Sequence, residues 1–508
     1  MLSCPTHGDS HYDWTNNGGQ INPNASAMST FTISGESGYD TGSLPEIVPQ
    51  NTWQLNDTLF YTHDAHLLRF GFSVIQNRFG FFQLASPSGA LDYSRIYTTS
   101  PSGSGGAGLA DFLFGLPDSA GKSALPLGTP YERYSEYGAF VQDQWHATTR
   151  FTLSLGLRYD LFTPVSERHN RQSDFLFKSG ALVSTGRNGV SSSILGLQMH
   201  DFSPRIGLAY RVGDRTVIRA AYGLFYFNEQ GTGGSTRLFI NFPFAAQYTV
   251  TCSSTVPCMK TSVGIPPASS ANSLPTVVYQ PLANLTPNLQ QWHLTAEHQL
   301  SSSMVVCAAY VGTHGNHPNL NIDENVAIPG PGPATPRQPF PAFGIISGWE
   351  PRGFSNYDAL QLSAEKRYSR GLSFLAAYTW SKSLDEGNGG NSSTGDPRIN
   401  IQNPRNLRAN YGLSSFDYRH RFTFSAVAEL PVGHGRKFMH NARPLAETVA
   451  GGWQMTSTSL RSQAHRSRCS SRPRPPTPEP SRAPTVFATA ICQPISRAST
   501  IGSTLGVS

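Results

Sequence analysis

From Phe151 to Asp160 apolar and polar residues alternate without a break. Phe151, Leu153, Leu155, Leu157 and Tyr159 share one side; Thr152, Ser154, Gly156, Arg158 and Asp160 share the other. Side chains on a strand switch faces at every residue, so the alternation predicts a strand with one apolar and one polar face. Upstream, Tyr137, Ala139, Val141 and Trp145 share a face with a single charge, Asp143, while Gly138, Phe140, Gln142 and Gln144 share the opposite one. Only His146-Ala147-Thr148-Thr149-Arg150 separates the two runs, which is short enough for a tight antiparallel hairpin. Each arm of Tyr137–Asp160 has roughly the 9–11 residues that a tilted strand needs to cross a bilayer. Aromatic residues sit at the arm ends, where a membrane barrel keeps its girdles. A single hairpin of this kind fits a soluble sandwich equally well.

The same unit recurs along the chain. Trp53–Tyr61 and Leu67–Ile75 flank His63-Asp64-Ala65-His66; Ser203–Arg211 and Thr216–Asn228 flank Val212-Gly213-Asp214-Arg215. Gln290–Leu300 and Met304–Thr313 flank Ser301-Ser302-Ser303, and Tyr357–Tyr368 and Leu372–Lys382 flank Ser369-Arg370-Gly371. Tyr418–Leu430 alternates again, and Gly452–Leu460 is a weaker last strand, giving about twelve in all. Gly103–Gly108 is a glycine-rich breaker, followed by the short apolar piece Ala110–Pro117.

The connections decide the architecture. Those inside hairpins are short, whereas Asn228–Leu289, Gly315–Asn356 and Ser383–Asp417 are long and rich in Pro, Gly, Asn and Ser. Soluble domains rarely carry so many long loops. An outer-membrane barrel has short periplasmic turns and long extracellular loops by construction, and its closure pairs the backbone groups that lipid cannot solvate. A propeller would show an even blade period, and none is visible. The expected fold is therefore all-β: an antiparallel transmembrane β-barrel, partial, with about twelve recognisable strands.

Composition sharpens this. Charged residues are only 14%, against the roughly 25% of soluble domains. No apolar run approaches the roughly 20 residues of a spanning helix, and the mean hydropathy of −0.31 does not argue against a barrel, whose alternation hides its apolar face from any average. The net charge of +6 belongs to the tail: 461–508 holds seven arginines against the single acid Glu479, and the rest of the chain carries 31 basic and 31 acidic side chains. The basic pI is thus no argument for nucleic acid as a partner. Cys252 and Cys258 close the short loop TCSSTVPC with no His or second pair to complete a zinc site, which favours a loop disulfide; Cys307, inside a strand, reads as an inert small hydrophobe.

The segments YGAFVQDQWHATTRFTLSLGLRYD, FSPRIGLAYRVGDRTVIRAAYGLFYF, QQWHLTAEHQLSSSMVVCAAYVGTHG, SNYDALQLSAEKRYSRGLSFLAAYTWSKSLD and NPRNLRANYGLSSFDYRHRFTFSAVAELPVGHGR, in this order, resemble the barrel of TonB-dependent outer-membrane receptors. The nearest likeness is to the Oar-like subgroup, whose members carry an N-terminal carboxypeptidase-regulatory-like domain. The resemblance runs from about Asn51 to Leu460. It implies energised uptake of a bulky, scarce ligand across the outer membrane. In the family a plug fills a barrel of about 22 strands and couples it to TonB. Neither the regulatory-like domain nor the plug with its TonB box is visible here, so no ligand-binding residue carries over. Outer-membrane lipid and an unknown ligand are the expected partners, with the TonB complex acting only through a plug.

Candidate chemistry is sparse. His314 and His317 in GTHGNH, with Asp323 and Glu324 nearby, have metal-ligating side chains, but the spacing marks no third ligand and reads as the start of a loop. Arg158, Arg219, Glu297, Glu365 and Arg421 fall on polar faces, where they would form a charged inner wall. No G-x-S-x-G elbow, phosphate loop or HExxH is present, so neither an enzyme nor a cofactor is expected. The chain divides into an irregular segment 1–50, the partial barrel 51–460, and a basic, proline-rich tail 461–508. Proline donates no ladder hydrogen bond, so no interior strand runs through Pro473–Pro480. The abrupt switch there reads as a shifted reading frame, with a genuine disordered basic tail as the alternative. The N-terminus lacks a basic start followed by an apolar stretch, so no signal peptide is expected and the chain reads as a fragment or one with an internal start. A plug-less structural or adhesion barrel, and a secreted β-rich binding module, stand as the other functional readings.

Overall fold

The computed structural model describes residues 29–463, except 40–46, 85, 101, 188, 229–236, 253–255, 267–273, 283–284, 388–400, 402, 434–436, 439 and 441–452. Twelve strands follow one another as an antiparallel meander: β1 (Gln50–His63), β2 (His66–Gly80), β3 (Tyr131–Trp145), β4 (Phe151–Phe162), β5 (Asp201–Arg211), β6 (Thr216–Tyr226), β7 (Asn288–Ser301), β8 (Met304–Asn316), β9 (Phe354–Ser369), β10 (Leu372–Asp385), β11 (His420–Glu429) and β12 (Gln454–Ser462). Every strand expected from alternation is present, most of them a few residues longer than the sequence marks. Among the described residues β1 and β12 each have a neighbour on one side only.

The short turns lie together, because the backbone stitches each to the next. His146 N–H donates to Ala65 O, Arg211 to Arg150 O, Gln299 to Arg215 O and Arg367 to Ser303 O, each at 2.8 Å, and Glu429 donates to Gly371 O at 2.7 Å. Thr148 and Ser302 are thus at one end of the sheet, as the hairpin pattern requires. One connection departs from the pattern: residues 430–453, between β11 and β12, leave from this same end and are long.

The registers carry the two faces across the whole sheet. Trp145, Leu153, Leu208, Ala220, Leu294, Tyr310, Leu360 and Trp380 pair in one apolar row. Thr152, Ala209, Arg219, Thr295, Ala309, Gln361, Thr379 and Arg421 pair in one polar row. Leu155, Leu157 and Phe422 are exposed on the apolar face. A wall that leaves large apolar side chains uncovered along its length is built for an apolar solvent.

The buried cores sit at the other end, in the loops. Thr30–Ile33 runs parallel to Ala90–Tyr93, which pairs with Ser119–Ala124 and, through it, with Ala246–Thr251; Phe31, Leu91, Tyr93, Ala120 and Val250 pack together there. Ile346–Pro351 pairs with both Val277–Tyr279 and Asn319–Asp323, and Ser173–Leu176 pairs with Ala181–Ser184. The expectation of an irregular segment 1–50 is corrected, since Thr30–Ile33 belongs to the first of these sheets and β1 already begins at Gln50. Part of the apolar piece Ala110–Pro117 forms the short helix Gly108–Leu113. Strands of three to six residues, most of them paired with partners far away in sequence, leave no periodic signature, which is why the loops read as structureless. Arg461 and Ser462 still belong to β12, opposite Phe422 and Arg421, so the basic tail starts later than 461; residues 464–508 lie outside the described residues.

Candidate functional site

The polar face brings all five expected charged side chains onto one side of the sheet and pairs three of them. Arg158 Nε donates to Asp160 Oδ1 and Oδ2 at 2.8 and 3.0 Å, and its Nη2 donates to Ser73 Oγ at 3.1 Å. Arg158 reaches Ser73 by crossing β3 over Gly138, where a Cβ would stand 2.2 Å from Arg158 Nη2; a larger residue there would block the bridge. Arg219 pairs with Glu297 at 2.9 Å, both about two-fifths exposed. Such a pair contributes little to stability, about 0–1 kcal/mol, but fixes charge on the wall. Glu365 and Arg421 are exposed and make no ion pair among the described residues.

Further polar-face residues escaped notice in the sequence. Arg69 lies 5.5 Å from the Phe60 ring and Arg205 lies 4.6 Å from the Phe225 ring. Nearer the loops, Asn228 Nδ2 donates to Glu136 Oε1 at 3.3 Å and Thr286 Oγ1 to Asp201 Oδ2 at 2.7 Å. Alternation marks Arg69 and Arg205 as polar-face residues; their common position across the sheet follows only from register. Cys307 sits opposite Glu297 and Ser363 on this same polar face rather than among apolar side chains. On the apolar face, Asp143 Oδ2 accepts from His66 Nδ1–H at 2.7 Å, and His66 stacks on Trp145 at 5.6 Å, which accounts for the lone charge there.

In the loops, both ring nitrogens of His314 are engaged, by Asn356 Oδ1 at 2.6 Å and Asn316 Oδ1 at 2.8 Å. His317 holds a positive φ of 61° and donates its backbone N–H to Gly353 O at 2.9 Å. Asp323 accepts from the backbone N–H groups of Asn325 and Ile346, and Glu324 pairs with Arg352 at 3.2 Å. The structure therefore gives these four residues separate local roles. No group of three or more His, Cys, Asp or Glu among the described residues is arranged to hold a metal ion. Cys252 and Cys258 are disulfide-bonded, with Cα atoms 5.7 Å apart, and Cys252 is part of the four-stranded loop core.

Two buried groups tie the loops together. Tyr279 donates its hydroxyl to Glu350 Oε1 at 2.5 Å, and Glu350 Oε2 holds Arg352 at 2.7 Å; burial first, then the Glu350 charge, pushes the Tyr279 phenol far above its usual range. Asp174, fully buried, accepts from the Gln280 N–H at 2.9 Å through Oδ1, while Oδ2 has no hydrogen-bond partner among the described residues. Burial raises its carboxyl to about 7, against the lowering effect of that N–H.

The chain is similar in fold to the alcaligin outer membrane receptor FauA from Bordetella pertussis, at 13% identity and a TM-score of 0.36, covering 82% of this chain and 46% of that one. For the ferric yersiniabactin uptake receptor FyuA from Yersinia pestis the values are 11%, 0.38, 84% and 45%. For the outer membrane transporter YddB from Escherichia coli they are 11%, 0.44, 82% and 42%. The chain spans less than half the length of these solved structures. None of the curated proteins matches it. The family described as outer membrane beta barrel domain matches residues 5–463, which takes in all twelve strands of the sheet and both of its faces. The chain belongs to that outer-membrane β-barrel family.

Proposed function

We propose that this barrel is part of a TonB-dependent receptor that takes up a bulky ligand across the outer membrane, acting by binding and passage rather than by catalysis. The observation that carries the reading is the asymmetry of the sheet's two ends: bare turns stitched together at one, loops with their own buried cores at the other. Ordered loops above a polar, charged wall are what a receptor needs to hold a ligand before passage, and the resemblance of the strand segments to TonB-dependent receptors supplies the energised step. Lipid would cover the apolar face, and TonB would act through a plug that fills the lumen.

The test is genetic and direct. In the native host, deletion of this gene and deletion of tonB should give the same growth defect on one limiting nutrient, with no further loss in the double mutant. A gene-deletion defect that adds to the tonB defect in the double mutant, or a loss of surface attachment instead of uptake, would favour the structural or adhesion barrel and overturn the proposal.

A further inference from the structure

The apolar face does not stop where the strands stop. At its loop end Tyr159 on β4 and Phe202 on β5 stand opposite each other, with ring centroids 4.8 Å apart. The Tyr159 hydroxyl donates to Met199 O at 3.3 Å, which lays the last residues of the β4–β5 connection against this aromatic pair. Leu197 and Met199 are 48% and 56% exposed there. Gly196 N–H donates, at a long 3.5 Å, to Leu282 O in the β6–β7 connection, and Leu282 is 57% exposed. Three large apolar side chains thus stand uncovered on two connections that touch, in continuity with the apolar wall.

Charge and height agree with that continuity. No Asp, Glu, Lys or Arg occurs in 188–200 or in 261–296, whereas the β8–β9 connection carries Asp323, Glu324, Arg337, Glu350 and Arg352. Tyr159 lies eight residues beyond the turn-end residue Phe151. At a rise of about 3.3 Å per residue and a tilt of about 40°, it stands about 20 Å above the turn end. Its hydroxyl therefore falls near the outer rim of an apolar band about 25 Å tall, the level at which a membrane barrel places aromatic side chains with one polar end. Irregular backbone is not tolerated in the hydrocarbon, where its N–H and C=O groups would lack partners, but the interface, which water still reaches, accepts it.

We infer that the β4–β5 and β6–β7 connections are moored in the outer leaflet of the membrane, with Leu197, Met199 and Leu282 inserted among the lipid chains just below the head groups. The partner is the lipid surface itself. The inference rests on lipid covering the apolar face, as proposed above, and it extends that contact from the strands to the loops. On this side the mouth of the barrel is held by the membrane as well as by contacts between connections.

The experiment uses the full chain refolded into phosphatidylcholine vesicles that contain a trace of a phospholipid with a photoactivatable diazirine in its acyl chain, with folding confirmed by heat-modifiable gel mobility. After illumination, pepsin digestion and tandem mass spectrometry locate the adducts. Adducts are expected at Leu197, Met199 and Leu282 as well as at Leu155 and Leu157 of β4, and not at Val263, which is 77% exposed elsewhere in the loops. Leu197→Glu combined with Met199→Glu, outside every strand, should abolish the adducts in 195–199 while those on β4 and the gel mobility stay as they were. Adducts on β4 without any in the two connections overturn the mooring and leave the lipid-facing wall in place. Adducts at Val263 as heavy as at Met199, or adducts in 195–199 that survive the double substitution, overturn it too, because labelling would then follow exposure alone. The absence of adducts from β4 in a folded chain overturns the wall and the mooring together.

Discussion

Replacing Leu157 with arginine should destabilise the folded barrel by about 2–4 kcal/mol. Leu157 lies in β4, six residues beyond the turn-end residue Phe151. At a rise of about 3.3 Å per residue and a tilt of about 40°, it stands about 15 Å above the turn end, close to the middle of an apolar band about 25 Å tall. Its cross-strand partners are Val141 and Pro204, so a cation there meets no acceptor. Leu155→Arg should be milder, for a reason the register supplies: Asp143 faces Leu155 directly, and its Oδ1 is buried without a hydrogen bond among the described residues. Adding Asp143→Asn should raise the cost of Leu155→Arg towards that of Leu157→Arg. Ser154→Arg, on the polar face between Gln144 and Gly207, should change stability by no more than about 0.5 kcal/mol. Denaturant titrations of reversible folding into vesicles, followed by gel mobility and tryptophan fluorescence, give all four values. Equal damage at Leu157 and Ser154 would refute the assignment of faces, and with it the barrel.

Other expectations follow from the loops and the polar wall. Asp174 titrates near 7 in the folded state against about 4 when unfolded, so its protonated form favours folding. That stability is full below pH 4, is lost as the pH rises towards 7, and stays lost above it. Hydrogen exchange in Ser173–Leu176 and Val277–Tyr279, corrected for intrinsic rates, should show protection falling over that window, and Asp174→Asn should flatten the profile. Reducing the Cys252–Cys258 disulfide should release about 2 kcal/mol of local stability by the loop-entropy relation, seen as faster proteolysis of the four-stranded loop sheet while the wall stays intact; unchanged proteolysis would mean that the core around Phe31 and Val250 alone holds it. Asp160→Asn should cost about 1.5–3 kcal/mol in the same titrations because it strips Arg158 of its carboxylate, whereas Glu297→Gln, at an exposed pair, should cost under about 1 kcal/mol. On intact cells a membrane-impermeant thiol reagent should label Val263→Cys, exposed in the loops, and not Ser302→Cys at the turns; labelling of both would contradict the sidedness. Asn272 and Asn388, which the hairpin pattern puts in long connections reachable from outside the cell, lie outside the described residues.

The wall was legible in the sequence because each strand announces itself locally. Phe151–Asp160 needs no partner to reveal its two faces, and His63-Asp64-Ala65-His66 marks a turn by itself, with Asp64 at a positive φ of 48°. What the sequence hides is whatever depends on pairing at a distance. Arg158 and Asp160 are two residues apart on one strand, and their pairing could be anticipated; Arg69 and Arg205 share a row only because three strand pairings add up. The loop sheets are hidden more deeply still. Thr30–Ile33 pairs with Ala90–Tyr93, sixty positions on, and four residues of mixed character carry no period. His314 illustrates the converse. With His317 it reads as the start of a loop, yet it still lies in β8, with its ring satisfied by two asparagines, one of them on β9.

The strands and contacts among the loops tie separate connections into one body. The four-stranded sheet takes Thr30–Ile33 from before β1, two strands from the β2–β3 connection and one from the β6–β7 connection. The β6–β7 connection also lends Val277–Tyr279 to a sheet whose other strands come from between β8 and β9, and Asn241 within it donates to Ser173 O and Val278 O at 2.7 and 2.6 Å. A single connection thus touches three others. The mouth of the barrel is therefore geared: a molecule that displaces the β6–β7 connection must drag its neighbours with it or break their sheets. If the proposed uptake holds, entry would be a concerted opening with one threshold rather than a series of independent loop movements.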